Sequence, residues 1–130
     1  MLLVENFIGP SNIHGLGVFA ARPIKKGELV WEFNQVIDRL IKPEDLAGLP
    51  EHVVKMIYTH AEFFADTGCF VLSGDGDAFM NHSESSNLID RGTQMFAARD
   101  IEAGEEITCD YGQVRVACFG TKMVELTEAV

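Results

Sequence analysis

Four stretches combine residue types and spacings that can do chemistry. Asn81, His82 and Ser83 stand in a row behind the apolar pair Phe79-Met80, with Asn87 four residues on. Amide, imidazole and hydroxyl supply hydrogen-bond donors and acceptors of every kind, and burying them demands partners. A ligand site and a polar loop cap are both open readings, the cap being the commoner. The run Gly104-Glu105-Glu106-Ile107-Thr108-Cys109-Asp110-Tyr111-Gly112 puts Tyr111 at a strand end beside a glycine. There the phenol either faces a pocket or is satisfied by backbone. In His14-Gly15-Leu16-Gly17 paired glycines allow unusual dihedrals and close approach of main chain to a ligand. No third glycine follows at dinucleotide spacing, and a tight turn is the commoner reading. Gly74-Asp75-Gly76-Asp77 begins like a calcium loop, but Phe79 occupies the next ligand position, so it reads as a turn. Cys69, Cys109 and Cys118 form no C-x-x-C pair, and no metal site is expected. Glu105 and Glu106 are adjacent on a strand, which turns them to opposite faces. A two-carboxylate mechanism is therefore disfavoured.

The elements that must position these groups are mostly short strands. Residues 18–21, 28–33 and 36–41 read as extended runs, with Lys25-Lys26-Gly27 as a turn. Lys42-Pro43-Glu44-Asp45-Leu46 suits a short helix with proline in its first turn. Pro50 can open a second helix over 51–64, because Val53, Val54, Ile57, Tyr58, Ala61 and Phe64 recur at helical spacing. Strands return at 69–72, 94–98 and 107–109. Many short strands around a helical insert at about 42–65 make a mainly β (α+β) fold, expected as a single domain over residues 1–130.

Composition narrows the function classes. The 130 residues are 47% hydrophobic, enough for a packed core, and carry a formal net charge of −10. That charge argues against nucleic-acid binding and against docking on an anionic membrane. It is unevenly spread: residues 1–60 hold 7 acidic and 6 basic side chains, residues 61–130 hold 13 and 4. A lopsided acidic half either steers a basic partner or simply solvates the surface. If a site for a basic partner lies among residues 79–111, as the family resemblance given below implies, acids such as Glu84, Asp90 and Glu106 would face that partner. The start of the chain lacks a basic n-region and a long apolar run, and an intracellular, cytoplasmic location is expected, or a nuclear one in a eukaryote.

Taken jointly and in order, these segments resemble the SET domain of protein lysine methyltransferases. Gly15-Leu16-Gly17-Val18-Phe19-Ala20 is similar to the opening G-x-G motif, and Ile24-Lys25-Lys26-Gly27-Glu28-Leu29-Val30 to the turn and strand that follow. Phe79-Met80-Asn81-His82-Ser83 with Asn87 resembles F-I-N-H-S-x-x-x-N. Ala98-Arg99-Asp100-Ile101 and Gly104–Tyr111 resemble A-R-D-I-x-x-G-E-E-L-T-x-D-Y. The matched motifs span residues 13–112, leaving 113–130 as a tail.

The resemblance implies several small sheets, a helical insert and a C-terminal pseudoknot that brings Asn81 and His82 beside Tyr111. It implies S-adenosyl-L-methionine as cofactor, lying against Gly15, Leu16 and Gly17 and contacting Asn81, His82 and Tyr111. It implies transfer of a methyl group to the lysine side chain of a basic protein or lysine-containing peptide, entering by a narrow apolar channel from the opposite face. Two physical needs follow. The lysine, with a reference pKa of about 10.4, must lose its proton, which desolvation favours. The reacting atoms must align, which alone can supply about 7–11 kcal/mol. Tyr111 matches the catalytic tyrosine, its hydroxyl orienting the amine, and Phe33 stands where the family often has a channel-lining tyrosine.

Departures from the pattern bear on specificity. Glu84, Ser85 and Ser86 replace the Cys and Pro of N-H-S-C-x-P-N, Ala78 replaces a common Arg, and Gln35 replaces the Gly of Y-x-G. Cys109 occupies the position of an aromatic that limits how many methyls fit, which leaves the product state open. The cysteine-rich module that often follows the domain has no counterpart in residues 113–130. Phe119, or a second copy of the chain in a homodimer, is then expected to complete the channel. The altered 84–86 stretch and the missing module also support an alternative: a SET-fold cofactor- or protein-binding module with weak or no catalysis.

Overall fold

The structure, a computed structural model, describes residues 1–64 and 67–110. Ten strands and one α-helix follow in order: β1 (Asn6–Pro10), β2 (Leu16–Ala20), β3 (Leu29–Glu32), β4 (Arg39–Ile41), α1 (Glu51–His60), β5 (Glu62–Phe64), β6 (Cys69–Leu72), β7 (Asn81–His82), β8 (Leu88–Asp90), β9 (Gln94–Ala97) and β10 (Glu106–Cys109). Short 3-10 turns at Pro43–Leu46 and Gly76–Phe79 punctuate the middle. The strands form three small sheets in the orders β1-β2-β10-β7, β3-β9-β8 and β4-β6-β5.

Local chemistry explains most elements. β1 and β2 are an antiparallel hairpin in which Phe7 faces Phe19, the rings stacked at 5.4 Å. The connection closes through a Ser11 N–H donated to the Gly15 carbonyl, with Gly15 at φ +46°, a conformation open to glycine at little cost. β6 reads Cys69-Phe70-Val71-Leu72, an unbroken apolar run, and lies at the centre of its sheet with Phe70 and Val71 fully buried. Phe70 packs edge-on against Phe63 and Tyr58 at 5.1 and 5.3 Å, geometries that favour aromatic pairs. Trp31, Val18, Ile24, Val30, Ile101 and Ile107 are among the most deeply buried residues of the core.

Three expectations are corrected. The helix foreseen over 51–64 ends at His60, because Ala61 is extended and β5 pairs with β6 in the register Phe63↔Phe70 and Phe64↔Cys69. Phe63 and Phe64 are both buried, and a strand buries two successive aromatics on opposite faces where a helix would present only one stripe. The extended run foreseen over 36–41 shrinks to Arg39–Ile41. The Ile37 and Asp38 N–H groups instead donate to the Asn34 carbonyl, making a turn. That turn packs against Gly74, where an added Cβ would collide with the Ile37 carbonyl oxygen. The Asn81-His82 pair is neither a loop cap nor irregular: it is a two-residue strand lying parallel to β10, with Asn81 opposite Thr108 and His82 opposite Cys109.

β10 therefore sits between β2 and β7, joining segments from the beginning, middle and end of the described chain. The pseudoknot crossing itself, with Tyr111, Phe119, Cys118 and the tail 113–130, lies outside the described residues. Among the described residues no helix is long and apolar enough to cross a membrane.

Candidate functional site

The glycine loop, β7 and β10 converge on the side chain of Asn81. The Asn81 amide nitrogen lies 3.0 Å from the His14 carbonyl, 3.1 Å from the Leu16 carbonyl, 3.1 Å from Ser11 Oγ and 3.0 Å from Glu106 Oε2. It thereby ties the Gly15–Gly17 loop to the β7–β10 ladder. Ser11 reinforces the loop from within: its hydroxyl accepts from the Ile13 and His14 N–H groups and donates to Glu106 Oε1 at 2.7 Å. Gly17 is buried, and a Cβ there would meet Glu106 Oε2 at 2.5 Å and Ser11 Cβ at 3.2 Å. At Gly15 nothing lies within 4 Å of an added Cβ. Gly15 is used for its dihedral angles and Gly17 for space.

His82 follows on β7, half-exposed, with Nδ1 3.7 Å from Asp110 Oδ1. The Ser83 N–H continues the ladder by donating to the Cys109 carbonyl. Cys109 is buried, and burial together with Glu62, Asp90 and Asp77 pushes its thiol well above the ordinary range. It behaves here as a small apolar group, not as a nucleophile. Phe33 is half-buried against the core, its N–H donated to the Thr93 carbonyl. Thus Gly15, Leu16, Gly17, Asn81, His82 and Cys109 are gathered on one set of adjoining segments. Tyr111 and Phe119 fall outside the described residues.

Asn87, grouped with Asn81 by sequence, has a different place. It is 1% exposed and bridges β8 to β10: its amide donates to the Glu106 carbonyl at 2.8 Å and to Glu105 Oε2 at 3.0 Å, while its oxygen accepts the Thr108 N–H at 2.9 Å. This is a structural clamp with every group occupied. Glu105 lies one residue before β10, and the two carboxylates part company: Glu105 meets Asn87 and Arg99, Glu106 meets Ser11 and Asn81.

Two of the three acids expected on the outer surface are turned inward. Glu106 is committed to Ser11 and Asn81, and Asp90 holds one oxygen buried without a partner while the other accepts the Gly92 N–H. Only Glu84 is exposed. Strand alternation and a nearby hydroxyl or turn amide, not net charge, decide where such a carboxylate points. Asp90 belongs to a set of shielded acids with Glu62 and Asp77, each with one buried oxygen lacking a hydrogen-bond partner. Burial, reinforced by Asp90 and Asp77, lifts Glu62 to about 8. Burial likewise lifts Asp77 to about 7 against a hydrogen bond from Ser73. Among the described residues no group of three or more His, Cys, Asp or Glu could hold a metal ion.

Sequence reasoning missed Ser11 and the inward role of Glu106. A serine four residues before Gly15 is a known turn former and could have been singled out. Nothing local marks Glu106.

Three small sheets, with a short Asn-His strand laid parallel to the last described strand and tied to an exposed glycine loop, define a mainly β fold of recognisable type. A chain of Polycomb Repressive Complex 2 from Chaetomium thermophilum, solved in an autoinhibited conformation bound to S-adenosylmethionine, superposes with a TM-score of 0.69 at 22% identity. The match covers 97% of this chain and 17% of that one. The chain belongs to the SET domain family, whose model matches residues 15–112. A variant-silencing SET domain-containing protein of Plasmodium falciparum is 34% identical over 113 residues. The Arabidopsis thaliana histone-lysine N-methyltransferase ATX2 is 30% identical over 129 residues. These matches cover 75% and 85% of this chain but only 4% and 12% of the relatives' length. S-adenosylmethionine is the cofactor of SET methyltransferases, and the residues present fit its requirements. Gly15 and Leu16 leave main chain of the loop exposed, and Asn81 has its amide nitrogen saturated and its Oδ1 without a partner among the described residues.

Proposed function

We propose that this chain is an S-adenosylmethionine-dependent methyltransferase acting on the lysine side chain of a basic protein or peptide. The observation that carries the reading is the parallel pairing of Asn81-His82 with Thr108-Cys109, held against the Gly15–Gly17 loop by the Asn81 amide. It joins three motifs that lie well apart in the sequence. The names of the relatives, histone-lysine methyltransferases among them, support a protein lysine as acceptor.

When bound, the cofactor supplies an electrophilic methyl group on a sulfonium. The chain's own residues then have distinct tasks. Gly15, Leu16 and Gly17 present main chain to it, and Asn81 and His82 offer polar groups to its amino-acid end. Cys109 and Phe33 contribute apolar, water-excluding wall, which favours the neutral form of an incoming amine. Tyr111, next in sequence to Asp110, orients that amine through its hydroxyl. Its reference pKa near 10 makes it a poor ionised base. Phe119 or a second subunit closes the channel.

A methyl-transfer assay on basic proteins with Tyr111→Phe as control tests the activity. The wild type is expected to transfer at a rate at least about a hundredfold above the variant, the scale of a lost positioning or proton-handling group. Equal, negligible transfer by both would leave a binding module, not an enzyme. Cofactor binding locates the site independently: Asn81→Ala should weaken it, whereas Glu84→Ala, on the exposed loop, should leave it unchanged. Equal dissociation constants for the two variants would misplace the site.

A further inference from the structure

None of the tasks above uses the carboxylate of Glu106, yet β10 turns it into the middle of the site. The Asn81 side chain is the link. Asn81 is 9% exposed, and its amide nitrogen has four oxygen acceptors within 3.1 Å: Ser11 Oγ, the His14 and Leu16 carbonyls and Glu106 Oε2. An amide group carries two protons, which these acceptors share. An amide turned the other way would point its oxygen at three acceptor-only groups. That orientation is therefore excluded, and the nitrogen must face Glu106. Ser11 leads to the same carboxylate. Its hydroxyl already accepts main-chain N–H groups of the glycine loop, so its own proton goes to Glu106, 2.7 Å away.

The consequence appears on the opposite end of the amide. With nitrogen saturated, Asn81 Oδ1 is left as an acceptor without a partner among the described residues. Gly17 answers to the same carboxylate. A Cβ at this position would overlap Glu106 Oε2, so the glycine makes room for it.

We propose that Glu106 is a positioning residue: it fixes the orientation of the Asn81 amide, so that Asn81 Oδ1 is presented to the ammonium group of an amino-acid-bearing nucleoside. The anionic charge behind the amide adds to the attraction for that ammonium. This role rests on the cofactor reading given under Proposed function, and it predicts a dependence on the amino-acid end of the ligand alone.

Two probes read that dependence by calorimetry on the full chain: S-adenosylhomocysteine, which carries the amino-acid end, and 5′-methylthioadenosine, which lacks it. Glu106→Ala should weaken S-adenosylhomocysteine about tenfold or more, the scale of a lost charge-assisted hydrogen bond, while methylthioadenosine stays within about twofold. Glu106→Gln retains an oxygen acceptor for the Asn81 amide and should recover most of the loss. Parallel weakening of both probes, or of neither, would overturn the positioning role. The side-chain amide protons of Asn81, followed by NMR without ligand, should lose exchange protection in Glu106→Ala. Unchanged protection would overturn the role even if the cofactor reading holds. If the wild type binds neither probe while protection is lost as expected, it is the cofactor reading that fails.

Discussion

Replacing Asn87 with alanine should destabilise the domain by about 3–5 kcal/mol, the range for breaking a buried hydrogen-bond network. Asn87 lies where β8 meets β10, 1% exposed. Its removal orphans the Thr108 N–H and the Glu106 carbonyl, both on β10, and releases Glu105 Oε2. The methyl group of alanine can satisfy none of them. Water cannot easily replace them either, since Thr108 and Ile107 are buried beside the site. Because β10 also carries the ladder to β7, the loss should be felt in cofactor binding although Asn87 is not assigned a contact. Urea unfolding of the wild type, Asn87→Ala and the exposed-site control Glu84→Ala measures this directly. A loss below about 1 kcal/mol for Asn87→Ala, no larger than an ordinary surface change, would mean that the network is not closed as described.

The second large effect is on the pH dependence of stability. Glu62 is held protonated by burial among Asp90 and Asp77, its pKa raised to about 8, opposed in part by the Met1 main-chain nitrogen. The folded state therefore binds more protons than the unfolded chain between pH 4.5 and pH 8, and stability must fall as pH rises through that window. The contribution is fully present below about pH 4.5 and lost above about pH 8. Asp77, raised to about 7, acts in the same direction over the lower part of this range. Glu62→Gln keeps the shape of the protonated acid and removes its titration. It should match the wild type near pH 5 and exceed it at pH 8.5 by about 2–4 kcal/mol. Denaturation midpoints across this range decide the matter, and identical pH slopes for the two proteins would remove Glu62 from the account.

Legibility from sequence followed the range of the interactions. β2, β3, β6, β9 and β10 were each foreseen to within a residue or two because their apolar runs and flanking turns are local signals. The last turn of the foreseen helix was lost to a contact of higher order: β5 gains a partner in β6 and two buried aromatics. β7 shows the limit most clearly. Two polar residues carry no strand signal, and only their parallel alignment with Thr108 and Cys109 makes them a strand.

The same division holds for the site. Residue order alone identified the Gly15–Gly17 loop, the Asn81-His82 pair and the 104–112 segment, and through them the family. Glycine dihedrals, polar side chains next to apolar runs and turn chemistry are written into a few consecutive residues. Tertiary structure alone decided that Asn81 serves the site while Asn87 clamps the core. It alone turned Glu106 and Asp90 inward and left Glu84 outside. A carboxylate or an amide has no preferred direction in the sequence. Its direction is set by which distant N–H, hydroxyl or carbonyl the fold brings within hydrogen-bond reach, and by the cost of leaving any of them buried and unpaired.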